Sequence, residues 1–186
     1  MSINIVSEYF LKNYTPLGTN VDPKNFLPFV PAAQDTYLQP ILGTNFYNYI
    51  LDQFSASALT ATEYYLVNDK IQPAVAWRAA SMAMPFLSMQ VTNKGPQRQS
   101  GDFSESVSLD DMKYLKAETA NMAEFYEERL KNYLCASGSS YPKYTANNTI
   151  DMVPDKTSAY DSDLVIPRPY NRNRGFYDGF HDGGCC

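Results

Sequence analysis

The side chains best suited to chemistry gather at the end of the chain. His181 is the sole histidine, and it stands with Asp182, Cys185 and Cys186 in the run GFHDGGCC. Thiolate and imidazole suit zinc. The two cysteines are adjacent, however, without the two-residue spacing of a zinc knuckle, and no scaffold is expected around them. No metal site is foreseen. Cys135 as a nucleophile would need a base close by, and the chain offers only the distant His181, so it reads as a small residue closing a helix. The three cysteines do not form a disulfide framework, because two of them are adjacent. Carboxylates pair at Asp110/Asp111 and at Glu127/Glu128. The first pair suits the positive end of a helix dipole and the second a solvated helix face. No Glu-x-x-His, nucleophile elbow or dinucleotide fingerprint occurs. The expectation is a protein without catalytic residues or cofactor.

Composition narrows the remaining classes. The chain has 186 residues, enough for one domain with a real core or a modest domain plus a long appendage. Its 15 basic and 20 acidic side chains give a net charge of -5, which argues against a general nucleic-acid binder, since affinity for phosphates comes from Lys and Arg. There are fifteen tyrosines against one tryptophan, and tyrosine serves interfaces as well as cores. Met1 to Phe10 has no basic start and no long apolar run before a small-residue cleavage site, so the protein is expected to stay inside the cell that makes it.

These residues need a scaffold, and its centre is the run Pro73 to Val91, PAVAWRAASMAMPFLSMQV, whose only charge is Arg78. At helical period nearly its whole circumference is apolar, which marks a buried helix. With Arg78, Ser81, Ser88, Gln90 and Pro85 it is too polar and too interrupted for a membrane span. Around it, Ser7 caps a short helix through Lys12, and Asp22-Pro23 starts another, irregular at Pro28 and Pro31 and regular up to Gly43. Thr44 caps a helix to about Phe54. Thr60 and Glu63 form a capping box for a helix that joins the central one with a break near Asn68 to Pro73. Ser108 and Asp111 open the longest amphipathic helix, Leu109 to Leu134, about 39 Å long. Its buried stripe is expected at Met112, Leu115, Thr119, Met122/Ala123, Tyr126, Leu130 and Tyr133/Leu134, with Glu127 and Lys131 paired four apart on its surface. The class is all-α, a helical bundle.

Two segments do not fit a bundle. Thr92 to Ser108 is polar, carries Gly95, Pro96 and Gly101, and exceeds the usual length of a structureless loop. It reads as a surface loop, or as an arm or β-hairpin completed by a partner chain, with Gln97, Arg98, Asp102, Phe103 and Glu105 as inter-subunit residues. Beyond Leu134 the periodicity stops, and the chain is divided into a body, 1–141, and an extended tail, 142–186. The tail cannot bury enough apolar surface on itself to offset its ordering entropy. Yet Arg168, Tyr170, Arg172, Arg174, Phe176, Tyr177 and Phe180 are of the types that anchor interfaces.

Asn20 to Ile50 supplies a resemblance. The run Ala33-Gln34-Asp35, then Leu38-Gln39-Pro40-Ile41-Leu42-Gly43-Thr44, then Tyr47 is similar to the first half of head-to-tail connector (adaptor, or ring) proteins of tailed phages of the crAss-like, Bacteroides-infecting type. Further matches are Pro73 to Trp77, Thr92 to Gly95, Ala123 to Tyr126, Arg129-Leu130 and Tyr133-Leu134. The resemblance implies a structural virion protein that assembles as a ring, of twelve copies, beneath the portal. DNA would pass through its centre without sequence-specific binding. Implied partners are the portal protein, other copies of the chain and further tail or ring proteins, with no membrane. The tail would dock on the portal or a neighbouring ring. The competing class is a soluble helical binding or regulatory module with a partner-ordered C-terminal tail.

Overall fold

Ser7 accepts a hydrogen bond from the Phe10 N–H and so starts helix α1 (Glu8–Tyr14), in a computed structural model that describes residues 3–18, 20–92, 95–98, 109–146 and 151–154. Its Leu11 is fully buried. Asp22-Pro23 starts only one 3-10 turn, Pro23–Asn25, capped by Asp22. Prolines 28 and 31 then sit in the first turn of the next helix, where their missing N–H groups leave no hydrogen bond broken.

Helix α2 spans 29–42 and contains a π-turn at Gln34–Leu38. A second π-turn, Val67–Ile71, lies inside helix α4, which spans 61–88. Both turns have one cause. Each is followed by Gln-Pro, Gln39-Pro40 and Gln72-Pro73, and a proline in a regular α-helix has no N–H to donate and pushes its ring against the carbonyl four residues back. Widening the preceding turn relieves that contact. The Gln39 N–H then reaches the Gln34 carbonyl and the Gln72 N–H the Val67 carbonyl, five residues back in each case. The expected break between the capping-box helix and the central helix is therefore a bulge within a continuous helix.

Helix α3 (Thr44–Ser55) follows Gly43, whose φ of 72° turns the chain sharply. Thr44 is the first residue of the helix instead of its cap. The Thr60/Glu63 capping box is formed as expected, Thr60 Oγ1 accepting from the Glu63 N–H and the Glu63 carboxylate accepting from the Thr60 N–H.

Helix α4 ends at Ser88, so Met89 to Val91 leave the central run and form strand β1 (Met89–Thr92), paired antiparallel with β2 (Gly95–Arg98) from Met89↔Arg98 to Thr92↔Gly95. Of the polar segment Thr92 to Ser108, Thr92 and Gly95–Arg98 belong to this hairpin, and residues 99–108 lie outside the described ones. Helix α5 (Leu109–Ala136) runs two residues past its expected end and packs along α4. The fold is all-α, with one two-stranded hairpin among the described residues. No described helix is long and apolar enough to cross a membrane.

The core lies between α2, α3, α4 and the second half of α5, with Val30, Leu42, Phe46, Ile50, Leu66, Ile71, Ala80, Leu130 and Leu134 among its residues. The α5 stripe differs from expectation. Thr119, Ala123, Leu130 and Leu134 are buried, but Leu115 and Met122 are exposed, because they lie about a quarter turn round the helix from the line of contact with α4. Cys135 lies half-buried in the last turn of α5.

Packing also continues past residue 141. A short helix α6 (Pro142–Thr145) buries Tyr144 against Phe46, ring centroids 5.8 Å apart. Asp151 and Met152 return to the start of α3: the Thr44 N–H donates to the Met152 carbonyl at 3.0 Å, and Thr44 Oγ1 donates to Asp151 at 2.7 Å.

Candidate functional site

Arg78, the single charge of the central run, is 8% exposed. A buried guanidinium requires a paired carboxylate, and α5 supplies it: Arg78 Nε and Nη2 donate to both oxygens of Glu127 at 2.6 and 2.7 Å. The guanidinium carbon lies 3.9 Å from the centre of the Tyr37 ring of α2. Burial works against the charged form of Arg78, but the bonds to Glu127 outweigh it, and the pKa rises above its ordinary value. Glu127, expected on a solvated face with Lys131, is thus the internal clamp between the two longest helices. The cavity beside this clamp, lined by Ala33, Tyr37, Ile41 and Val75, has room for only about 10 Å³. The pair is structural by geometry.

A second polar group joins α3, the start of α4 and the chain after α5. The Tyr141 and Tyr133 hydroxyls stand 3.2 Å apart, and Tyr141 also donates to the Thr62 carbonyl. Burial raises the Tyr141 pKa first, with the Tyr133 contact adding to it. Burial would raise the Glu63 pKa too, but hydrogen bonds from the Thr60 backbone and hydroxyl and from Tyr49, with the Lys143 charge, bring it below its ordinary value. Lys143 rests 3.5 Å over the Tyr49 ring. Glu63, Tyr141 and Lys143 border a cleft of about 190 Å³. Each of its charged groups is already engaged by a neighbour, so the cleft is a joint between elements.

The surface of α5 is different. Tyr114, Leu115, Met122 and Phe125 are 65, 43, 38 and 57% exposed. With Asp111 and Glu118 they recur at intervals of three and four, so they form one stripe. From Asp110 to Glu118 no residue with described side chain is buried, and only Met112 is even partly so. The first turns of the helix are therefore exposed on nearly every side. Phe86, at the end of α4, is also 54% exposed although its ring meets Phe29.

Of the residues singled out from the sequence, Gln97 and Arg98 lie in β2. Asp102, Phe103 and Glu105 are outside the described residues, as are Arg168, Tyr170, Arg172, Arg174, Phe176, Tyr177 and Phe180 and the His181 group. Among the described residues no three His, Cys, Asp or Glu side chains are grouped to hold a metal. Sequence reasoning missed the α5 stripe by assigning Leu115 and Met122 to the core. The signal was present in Tyr114 and Phe125, which fall outside that core stripe.

The body thus has an uncovered, largely apolar stripe on α5 and two polar joints between its elements. The chain belongs to a family of unknown function, DUF6712, whose model matches residues 38–152. The matched span opens one residue before Gln39 and closes on Met152, so the clasp that ties Gln39 and Thr44 to Asp151 and Met152 bounds it at both ends. No curated protein and no solved structure matches the chain.

Proposed function

We propose that the protein is a structural virion component, a subunit of a ring-shaped head-to-tail connector that docks on the portal and continues the DNA channel. The observation that carries this reading is the exposed stripe Tyr114, Leu115, Met122 and Phe125 on a helix whose first turns are exposed on nearly every side. Exposed large apolar side chains in a contiguous line mark a contact surface, and aromatic residues anchor such contacts. The resemblance of Ala33 to Tyr47 and Pro73 to Trp77 to connector proteins supports the same reading, and the net charge of -5 suits a channel through which DNA slides without adhering.

In this arrangement the α5 stripe and the hairpin meet the neighbouring subunit, and the Arg- and Tyr-rich tail reaches the portal or the next ring. The test is the double substitution Tyr114→Asp/Phe125→Asp. It should leave the helical circular-dichroism signal unchanged and abolish assembly of the chain on its portal in a sedimentation assay. Unimpaired assembly of that variant would remove the stripe from the interface and with it the main support for the reading. Ending the chain after Pro154 should likewise preserve the body and weaken portal binding.

A further inference from the structure

The exposed face of α5 has a period as well as an apolar character. Asp111, Leu115, Glu118, Met122, Phe125 and Arg129 follow one another at intervals of four, three, four, three and four residues, which is the spacing of a seam along which two helices pack. All six side chains are exposed, so the described body leaves the seam uncovered. The buried line of the same helix, Thr119, Ala123 and Leu130, runs about a quarter turn away. From Asp110 to Glu118 the helix is exposed on nearly every side, and a second helix has room beside it.

These intervals read the same in both directions, which is what a two-fold contact between identical surfaces needs. Turned end for end about residue 120, the seam brings Asp111 opposite Arg129, Leu115 opposite Phe125 and Glu118 opposite Met122. Opposite charges then close both ends of the contact, and apolar side chains fill it. Glu118 lays its methylene groups along Met122 and keeps its carboxylate at the wet edge. Arg129 forms no ion pair among the described residues, so its guanidinium is available to a carboxylate of a second copy. Side by side in the same direction, two copies would set Asp111 on Asp111, Glu118 on Glu118 and Arg129 on Arg129, and like charges facing each other across a contact oppose it strongly. The remaining charges of this stretch stand off the seam. Lys113 is bonded to Asp110 and Glu127 to Arg78, and Lys116, Glu124 and Glu128 fall on other faces of the helix.

We propose that the free chain forms a two-fold dimer in which α5 packs antiparallel on α5 of a second copy along this seam, about 27 Å from Asp111 to Arg129, with an Asp111–Arg129 pair at each end. A two-fold contact is complete with two copies, so it does not build a ring. It shields Leu115, Met122 and Phe125 from water in the free protein. The dimer does not rest on the connector reading; where that reading holds, the pair opens before the stripe meets its neighbour in the ring.

Sedimentation equilibrium of the purified full-length chain, without portal, tests it. The wild type should be a dimer that dissociates on dilution. Asp111→Arg and Arg129→Asp, each of which sets like charges together at both ends, should weaken dimerisation about tenfold or more, with the helical circular-dichroism signal unchanged. Combining the two in one chain restores both pairs with their signs reversed and should return the affinity to near the wild-type value. Mixing the two single variants should give a heterodimer for the same reason. A wild type that stays monomeric at the highest concentration reached would overturn the dimer, and so would a dimer that neither single variant weakens. A double variant no tighter than the single ones would overturn the antiparallel register. None of these results bears on assembly with the portal.

Discussion

The Arg78–Glu127 pair decides how α4 and α5 are held together. Both side chains are nearly buried, 10 and 14% exposed, so removing one partner leaves the other charge without compensation. Glu127→Ala should destabilise the body by about 3–5 kcal/mol, read from urea unfolding. Replacing both residues with Met and Leu should be far milder, because the desolvation of both charges is then avoided. Tyr47 gives the pH dependence. Its hydroxyl donates to Asp35 at 2.9 Å, and burial first, then Asp35, moves its pKa from 10.0 to about 12. A raised pKa in the folded state means that the folded protein keeps a proton the unfolded chain has lost. The Tyr47 contribution to stability is therefore intact below pH 10 and declines as pH rises from 10 towards 12, by at most about 2–3 kcal/mol, and Tyr141, whose pKa is also raised, adds to the fall. Unfolding free energies measured from pH 8 to 12 should show this fall, and Tyr47→Phe should reduce its slope. At this scale the sequence was only half legible. A lone Arg78 in an apolar run demands a buried carboxylate, but α5 carries several glutamates, and choosing Glu127 requires the relative rotation of two helices.

The elements were more legible, because caps and apolar period are local. The Ser7 cap, the Thr60/Glu63 box and the long α5 all follow from residues within one or two turns. The two π-turns did not: the helix before Gly43 was expected to be regular after Pro31, and near Asn68 to Pro73 a break was expected where the helix widens instead. Each widened turn absorbs one extra residue, so the helix keeps its phase on either side of it. Deleting Asp69, exposed within the second π-turn, would restore an ordinary α-turn and bring the Pro73 ring back against the carbonyl four residues before it, at a cost of about 3 kcal/mol read from thermal unfolding. If the deletion variant unfolded as the parent does, relief of that contact would not be the reason for the π-turn. The misassigned α5 stripe has a related cause. Leu115 and Met122 sit a quarter turn from the buried line, and an apolar residue on a helix shows its period without showing its partner.

At the scale of the whole molecule, the described body ends in the clasp at Thr44, which ties chain positions more than 100 residues apart. Neither the clasp nor the helix at Pro142–Thr145 was legible, because the polar, turn-rich sequence after Leu134 has no period from which packing can be read. Thr44→Val removes the hydroxyl that Asp151, Gln39 and Met152 share. It should cost about 1–2 kcal/mol, seen as earlier proteolysis after residue 146. Body, hairpin and tail divide the proposed work among them: the body sets the position of α5, α5 and the hairpin meet a neighbour, and the tail reaches a second partner. The most direct test of the connector reading is electron microscopy of the purified chain mixed with its portal. The account predicts a closed ring of subunits stacked coaxially on the portal, with α5 of each subunit against the next. Portal particles that remain bare at saturating concentrations of the chain would contradict it.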